Sequence, residues 1–219
     1  MQTNLGGIQV NYWDTAAQDF DSLYEPGHSV RFLLNRWLRR GLFQRAEITS
    51  KLIRDMGSPT VLDIGCGSGR NIPIFLKAGA SRVIGIDSSA GMLQLAANLL
   101  QQTNNVDKAE LINADFLGAH LNLFADLVVA MGVFDYLHQD ALPFLRRMVE
   151  CSGSVIAFTA PGRSLLRMPL RILRYKHKGI AIHHYRRKEL EDLCANSGLS
   201  RFTIKWISSS GYFVTAWKK

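Results

Sequence analysis

The sequence predicts an α/β fold: a seven-stranded sheet with helices on both faces, an antiparallel last strand and a small N-terminal helical lid. Three observations predict it. Beyond residue 57, seven apolar or β-branched runs of strand length recur, most of them separated by helical periodicity. The last two have no helix between them and so read as an antiparallel hairpin. The first ends in a loop of alternate glycines, as expected where a buried parallel strand opens toward a ligand.

The elements follow in order. Residues 1 to 28 mix Asn, Gln, Asp and aromatics, with Tyr12-Trp13-Asp14 and Phe20-Asp21 punctuating a short helix, and are expected to form the lid. Ser29 to Arg40 sets Val30, Leu33, Leu34, Trp37 and Leu38 at helical spacing. Gly41 interrupts, and a second helix runs from Phe43 to Met56, so 1–56 read as lid and flanking helices and 57–219 as the main domain. After Gly57-Ser58-Pro59 comes a strand, Thr60 to Ile64, then the glycine loop, a helix to Ala78 and a strand from Arg82 to Ile86. A helix from Ser89 to Gln101 precedes strands at Ala109 to Asn113 and Ala125 to Met131. A helix at Asp140 to Cys151 leads to a strand at Ser154 to Thr159. A last helix begins near Arg187, and strands at Ser200 to Ile207 and Gly211 to Trp217 close the chain around Ser209-Ser210-Gly211.

Composition narrows the function. With 219 residues, 47% of them hydrophobic, the chain has material for a core and is neither disordered nor fibrous. The longest strongly apolar stretch, Phe124 to Phe134, contains Asp126 and falls well short of the roughly 20 residues a membrane span requires, so no integral membrane protein is expected. Met1 to Val10 has neither a basic nor an apolar signal region, which points to the cytoplasm. Cys66, Cys151 and Cys194 are odd in number and lack Cys-x-x-Cys spacing; reduced thiols and no metal site are expected. The net charge of +8 is local: nine Lys or Arg and no acid lie between Arg163 and Lys188, leaving 17 bases against 18 acids elsewhere.

The segment Val61-Leu62-Asp63-Ile64-Gly65-Cys66-Gly67-Ser68-Gly69 carries the most information. Its glycines let the backbone approach a ligand closely, and the helix that follows offers free N–H groups. Asp87, 24 residues beyond Asp63 at the end of the second strand, can accept both hydroxyls of a ribose. A dinucleotide fingerprint needs Gly-x-Gly-x-x-Gly, yet the sixth position from Gly65 is Arg70. An acidic Asp63 at the mouth would repel a pyrophosphate and suits a ligand bearing an ammonium group.

Over about 60 to 217 the chain resembles the class I S-adenosylmethionine-dependent methyltransferases. The glycine loop matches their first motif, Asp87 ends the second strand, and Asn113-Ala114-Asp115-Phe116 follows the third. Phe124-Ala125-Asp126-Leu127-Val128-Val129 matches the fourth strand, and the final hairpin matches the inserted antiparallel seventh. The resemblance implies a Rossmann-like sheet and S-adenosyl-L-methionine as cofactor. It assigns Asp63, Gly65, Cys66, Gly67 and Gly69 to the methionine end, Asp87 to the ribose and Asp115 to the adenine amino group, with Phe116 beside the ring. Ser88 and Met92 become adenine-side contacts, although Met92 at helical spacing with Leu95 and Leu99 also suits the core. Met131 and Gly132 would sit near the departing methyl. Cys66 is read as a small loop residue and not as a reactive thiol. The opening Tyr12-Trp13-Asp14-Thr15-Ala16-Ala17-Gln18-Asp19-Phe20-Asp21 resembles the family's lid, whose aromatics cover the cofactor or touch its carboxylate; Tyr12 is the candidate on the cofactor and Tyr24 on the substrate, with packing between lid and domain as their other role.

For the acceptor, a base past the fourth or fifth strand would assist a hydroxyl or acid, whereas an amine needs only its neutral form. The candidates are Asp135 and His138, in Val133-Phe134-Asp135-Tyr136-Leu137-His138, and His184 and Tyr185 in His183-His184-Tyr185. The Asn/Asp-Pro-Pro-aromatic tetrad of nucleobase amino-methylating enzymes is replaced by Met131-Gly132-Val133-Phe134. In the basic insert, residues 161–188, Arg163, Arg167, Arg171 and Arg174 fall within a helical arc of roughly 80°, opposite Leu165, Leu166, Ile172 and Leu173, with Pro169 starting or kinking the helix. This stripe would meet an anionic acceptor through Arg163, Arg167 and Arg171, rest on an anionic bilayer, or simply face solvent.

Three functions follow. The first is a methyltransferase for a small or amphipathic, lipid-like and anionic metabolite, methylating O or N, similar to quinone and magnesium-protoporphyrin methyltransferases. The second is an RNA methyltransferase with the stripe as a phosphate track, disfavoured because Tyr175 and Tyr185 are the only interleaved aromatics. The third is a non-enzymatic membrane-surface scaffold, against which the intact Asp63, Asp87 and Asp115 count.

Overall fold

The computed structural model describes residues 40–119, 121–163, 182–207 and 211–218. The lid with Tyr12 and Tyr24, most of the first flanking helix, Arg167, Arg171 and the turn at Ser209 lie outside them. The described elements are α1 (Arg40–Met56), β1 (Thr60–Ile64), α2 (Asn71–Lys77), β2 (Arg82–Asp87), α3 (Ala90–Gln102), β3 (Ala109–Asn113), β4 (Ala125–Ala130), α4 (Ala141–Cys151), β5 (Ser152–Pro161), α5 (Arg187–Asn196), β6 (Arg201–Ile207) and β7 (Gly211–Trp217).

One sheet holds all seven strands, in the order β3-β2-β1-β4-β5-β7-β6. Pairing is parallel from β3 through β5, and β7 runs antiparallel to both β5 and β6. Strand order reverses at β1, so a crevice opens beyond the carboxyl ends of β1, β2 and β4, where ligands bind in open α/β sheets.

Alternation along the parallel strands sends side chains to two cores. Leu62, Ile64, Ile86, Val128 and Phe158 pack under α4 and α5 with Phe144, Leu145 and Leu190. Val61, Val83, Leu127 and Val129 pack with Ile53 of α1 and Ile72 and Phe75 of α2. By the same parity Asp63 lies on the α1 face, paired across the sheet with Gly85 and Val129. No helix among the described residues is long and apolar enough to cross a membrane.

Several boundaries differ from expectation. β5 is longer at both ends, starting directly where α4 stops, with the register against β4 shifting between Ala125 and Leu127. β4 ends at Ala130, leaving Met131 beyond the ladder. α2 stops at Lys77 because Ala78 and Gly79 form its exit, Gly79 at φ +110°.

Candidate functional site

β1 delivers Asp63 to the crevice and then turns sharply. Gly65 and Gly67 adopt φ of +68° and +56°, which a residue with a Cβ rarely takes. At Gly65 a Cβ would stand 2.5 Å from Val133 Cγ2, while at Gly67 it would meet nothing within 4 Å, so the loop is tight against the protein on one side and open on the other. Gly65 and Cys66 N–H groups donate to the Ile86 carbonyl, at 2.8 and 3.2 Å, fastening the loop to β2. Cys66 fills the space over Gly85, where a Cβ would lie 2.9 Å from its Sγ; burial pushes its thiol pKa well up, so it packs and does not react.

Asp63 is 1% exposed and neither carboxylate oxygen has a hydrogen-bond partner. Burial raises its pKa from 3.8 to about 7; Arg45 opposes the shift and Asp87 adds to it. A buried carboxylate without donors is costly unless a ligand completes it. Asp87, at the end of β2, accepts from Gly67 N–H at 2.8 Å through one oxygen and from Ser89 N–H at 2.9 Å through the other. These bonds fix the carboxylate plane. Ser88 is exposed beside it, whereas Ser89 is buried and caps α3 by accepting from Met92 N–H at 3.1 Å. Met92 itself is 3% exposed.

On the next loop Asp115 is exposed and accepts from Leu117 N–H at 3.2 Å through Oδ1. Phe116 turns into the core, edge-on to Phe144 with centroids 5.0 Å apart. Arg147 of α4 lies 5.1 Å from the Phe116 centroid and donates to the carbonyls of Leu117, at 3.2 Å, and Ala119. This staple is absent from the sequence reading; in sequence Arg147 is one more arginine beside Arg146.

Beyond β4, Met131 is 8% exposed and Gly132 donates to Thr159 Oγ1 at 2.9 Å. The 3-10 turns Phe134–Tyr136 and His138–Asp140 follow, with His138 at φ +37°. Here Asp135, His138 and Tyr185 meet, and His183, which the sequence reading did not single out, joins them. Its ring is 4.8 Å from His138 and 4.5 Å from Tyr185 between centroids, and its N–H donates to the Asp135 carbonyl at 2.9 Å. Burial, with His138 and Arg163 adding and Glu189 opposing, lowers its pKa below 6.5. His184 is buried, its carbonyl accepting from Arg163 Nε at 3.5 Å. Tyr185 is 4% exposed; its hydroxyl donates to the Phe134 carbonyl at 3.2 Å, and burial pushes its pKa far above the ordinary value. A phenol so committed positions the loop and is a poor proton acceptor.

Comparison with known proteins decides what this crevice belongs to. Residues 61–152 match the family model described as a methyltransferase domain. That segment, from β1 into the start of β5, is therefore similar to a methyltransferase domain. Its sequence is 34% identical over 105 residues to trans-aconitate 2-methyltransferase of Azoarcus sp. (strain BH72), covering 47% of the chain and 39% of that protein. It is 32% identical over 99 residues to ribosomal protein L11 methyltransferase of Pasteurella multocida (strain Pm70), covering 45% and 33%. The match therefore spans less than half of these relatives. In fold, the chain is similar to the crystal structure of magnesium protoporphyrin IX methyltransferase from Synechocystis PCC 6803 with bound SAH. The match has a TM-score of 0.79 at 16% identity, over 98% of this chain and all of the other.

Proposed function

We propose that this protein transfers a methyl group from S-adenosylmethionine to an oxygen or nitrogen of a small or amphipathic, anionic acceptor. The observation that carries the reading is Asp63: a buried carboxylate with no donors of its own, at the mouth of a loop that is open at Gly67, suits a ligand that brings an ammonium group. The methyltransferase family match over 61–152 supports it. The matched relatives act on unlike acceptors by name, a small carboxylic acid and a ribosomal protein, so the shared segment speaks for the cofactor side alone.

When bound, the cofactor supplies an activated methyl group, so the protein's task is chiefly orientation. Asp63 holds the ammonium, and the backbone of Gly65 to Gly69, with Cys66 behind it, lets the methionine chain lie close. Asp87, its plane fixed by Gly67 and Ser89, accepts the ribose hydroxyls. Asp115 accepts from the adenine amino group, with exposed Ser88 alongside; Phe116 and Met92 support this wall from the core. Met131 and Gly132 border the reacting methyl.

On the acceptor side, His183, neutral at pH 7 because burial lowers its pKa, takes the acceptor's proton when the acceptor is a hydroxyl; a carboxylate acceptor needs no base. His138, in a backbone conformation costly for a non-glycine residue, faces it and shares that role. Asp135 and Tyr185 hold His183 in place, and His184 anchors Arg163. On the sequence pattern, Arg167 and Arg171 are assigned to the acceptor's anionic group, or to the anionic surface of a membrane presenting a lipid-like acceptor, and Tyr12 and Tyr24 to the cover of cofactor or acceptor; all four lie outside the described residues. A cytoplasmic location fits this chemistry. The test is calorimetric titration with S-adenosylhomocysteine, followed by a screen of carboxylic and phenolic acceptors with labelled S-adenosylmethionine. The reading requires saturable binding and label transfer to at least one anionic acceptor class, and absence of binding refutes it.

A further inference from the structure

A second cavity, of about 400 Å³, opens between α1 and the end of β6, the outermost strand of the sheet. None of the residues placed in the cofactor crevice or around His183 lines it. Both of its walls are fixed. Ile53 and Thr49 of α1 are fully buried, which seats the helix on the sheet, and β6 is held along its length by the ladder to β7. Alternation along β6 sends Ile207 to the α1 face, where it packs in the same core as Ile53, and Lys205 shares that face by parity. From α1 come Ile48, Lys51 and Arg54, with Glu47 as the one acid of the lining. Lys51 is paired with Asp55 at 2.6 Å, whereas Arg54 and Lys205 form no ion pair with any described residue. The last turn of a helix favours a cation and an edge strand is protected by one, which accounts for Arg54 and Lys205 singly. Neither rule accounts for three cations from two rigid elements around one cavity, an arrangement that repels itself until an anion enters.

We propose that this cavity is a second binding site, taking the phosphate group of a phosphorylated small molecule or lipid. It stands apart from the S-adenosylmethionine reading and does not depend on it. A phosphomonoester dianion presents three acceptor oxygens, enough for the Arg54 fork and the two ammonium groups, while a carboxylate with two oxygens and one charge leaves a cation unmatched. The volume lies within the roughly 300 to 1,000 Å³ of small-molecule sites and exceeds what a bare phosphate fills, and Ile48 and Ile207 offer an organic part an apolar surface. Glu47, one turn before Lys51, disfavours a continuous polyanion such as a nucleic acid backbone tracking the helix.

The experiment is calorimetric titration of the purified chain with phenyl phosphate at about pH 8, where the probe is a dianion, with and without excess S-adenosylhomocysteine. One-site binding is expected, indifferent to S-adenosylhomocysteine and about tenfold tighter than that of inorganic phosphate, which lacks the apolar part. Lys205→Glu and Arg54→Met should each weaken it by at least about tenfold. Lys77→Glu, which removes a cation of α2 outside the cavity, should leave it within about twofold. Arg54, Lys77 and Lys205 are all exposed, so the variants keep the fold. Sedimentation with phosphatidic acid vesicles that Lys205→Glu abolishes identifies a lipid headgroup as the source of the phosphate; phenyl phosphate binding without such sedimentation identifies a soluble metabolite. No heat at millimolar phenyl phosphate, displacement of the probe by S-adenosylhomocysteine, or equal weakening in Lys77→Glu would overturn the proposal.

Discussion

Replacing Asp63 with Asn should change how the protein's stability depends on pH. The side chain is 1% exposed without hydrogen-bond partners, and burial lifts its pKa from 3.8 to about 7. The folded state therefore holds the proton more tightly than the unfolded chain. The sign follows: the stabilising contribution is full below the unfolded value of 3.8 and is lost as pH rises through about 7. A shift of this size corresponds to about 4 kcal/mol, at about 1.4 kcal/mol per unit. Asn is nearly isosteric and does not titrate, so Asp63→Asn should gain about 4 kcal/mol on wild type between pH 4 and pH 8. Urea unfolding of both ligand-free proteins across that range measures the difference, and contributions from other titrating groups cancel in it. Parallel stability profiles for the two proteins would refute the claim that Asp63 is a desolvated, uncompensated acid. A variant more stable at pH 8 yet poorer at binding S-adenosylhomocysteine would show strain held for a ligand.

Further outcomes are expected elsewhere in the site. Gly65→Ala should cost about 2 to 4 kcal/mol, combining a positive φ with a contact to Val133, read as a fall in the urea midpoint. Arg147→Met should cost about 1 to 2 kcal/mol and speed hydrogen exchange at Leu117 and Ala119, because the loop behind Asp115 loses both carbonyl ties; unchanged exchange would contradict the staple. Tyr185→Phe should cost about 1 kcal/mol by removing the bond to the Phe134 carbonyl, while turnover stays within a few-fold; a loss of several orders of magnitude would return the phenol to the chemistry. Turnover of a hydroxyl acceptor should fall as pH drops through a value below 6.5, where His183 protonates; His183→Asn should lower turnover and displace that limb, and only the double replacement with His138→Asn should abolish it.

Much of the crevice around the glycine loop was legible from the residues alone. Parallel strands buried on both faces read as apolar runs, so β1, β2 and β4 were placed within a residue or two, and Gly65, Gly67 and Asp87 stand where their spacing put them. The hairpin of β6 and β7 was legible because no helical pattern separates them. The acceptor side was not. Consecutive residues in the extended stretch 182–186 point to alternate sides, and nothing in His183-His184-Tyr185 says which histidine turns toward His138. Arg147 was missed because it stands beside Arg146 on an amphipathic helix, where solvated and structural cations look alike until the loop beneath them is known. Phe116, placed beside the adenine by the resemblance, packs against Phe144 and Arg147, neither of which the sequence could pair with it.

The central claim, that this crevice takes up S-adenosylmethionine through Asp63 and Asp87, is tested most directly by titrating the purified chain with S-adenosylhomocysteine in two buffers of different ionisation heat. The account predicts one-site binding with proton release below pH 7, as the ligand's ammonium draws Asp63 into its ionised form, and at least tenfold weaker binding by a folded Asp87→Ala variant. No heat at millimolar ligand, or binding indifferent to Asp87→Ala and to pH, would contradict it.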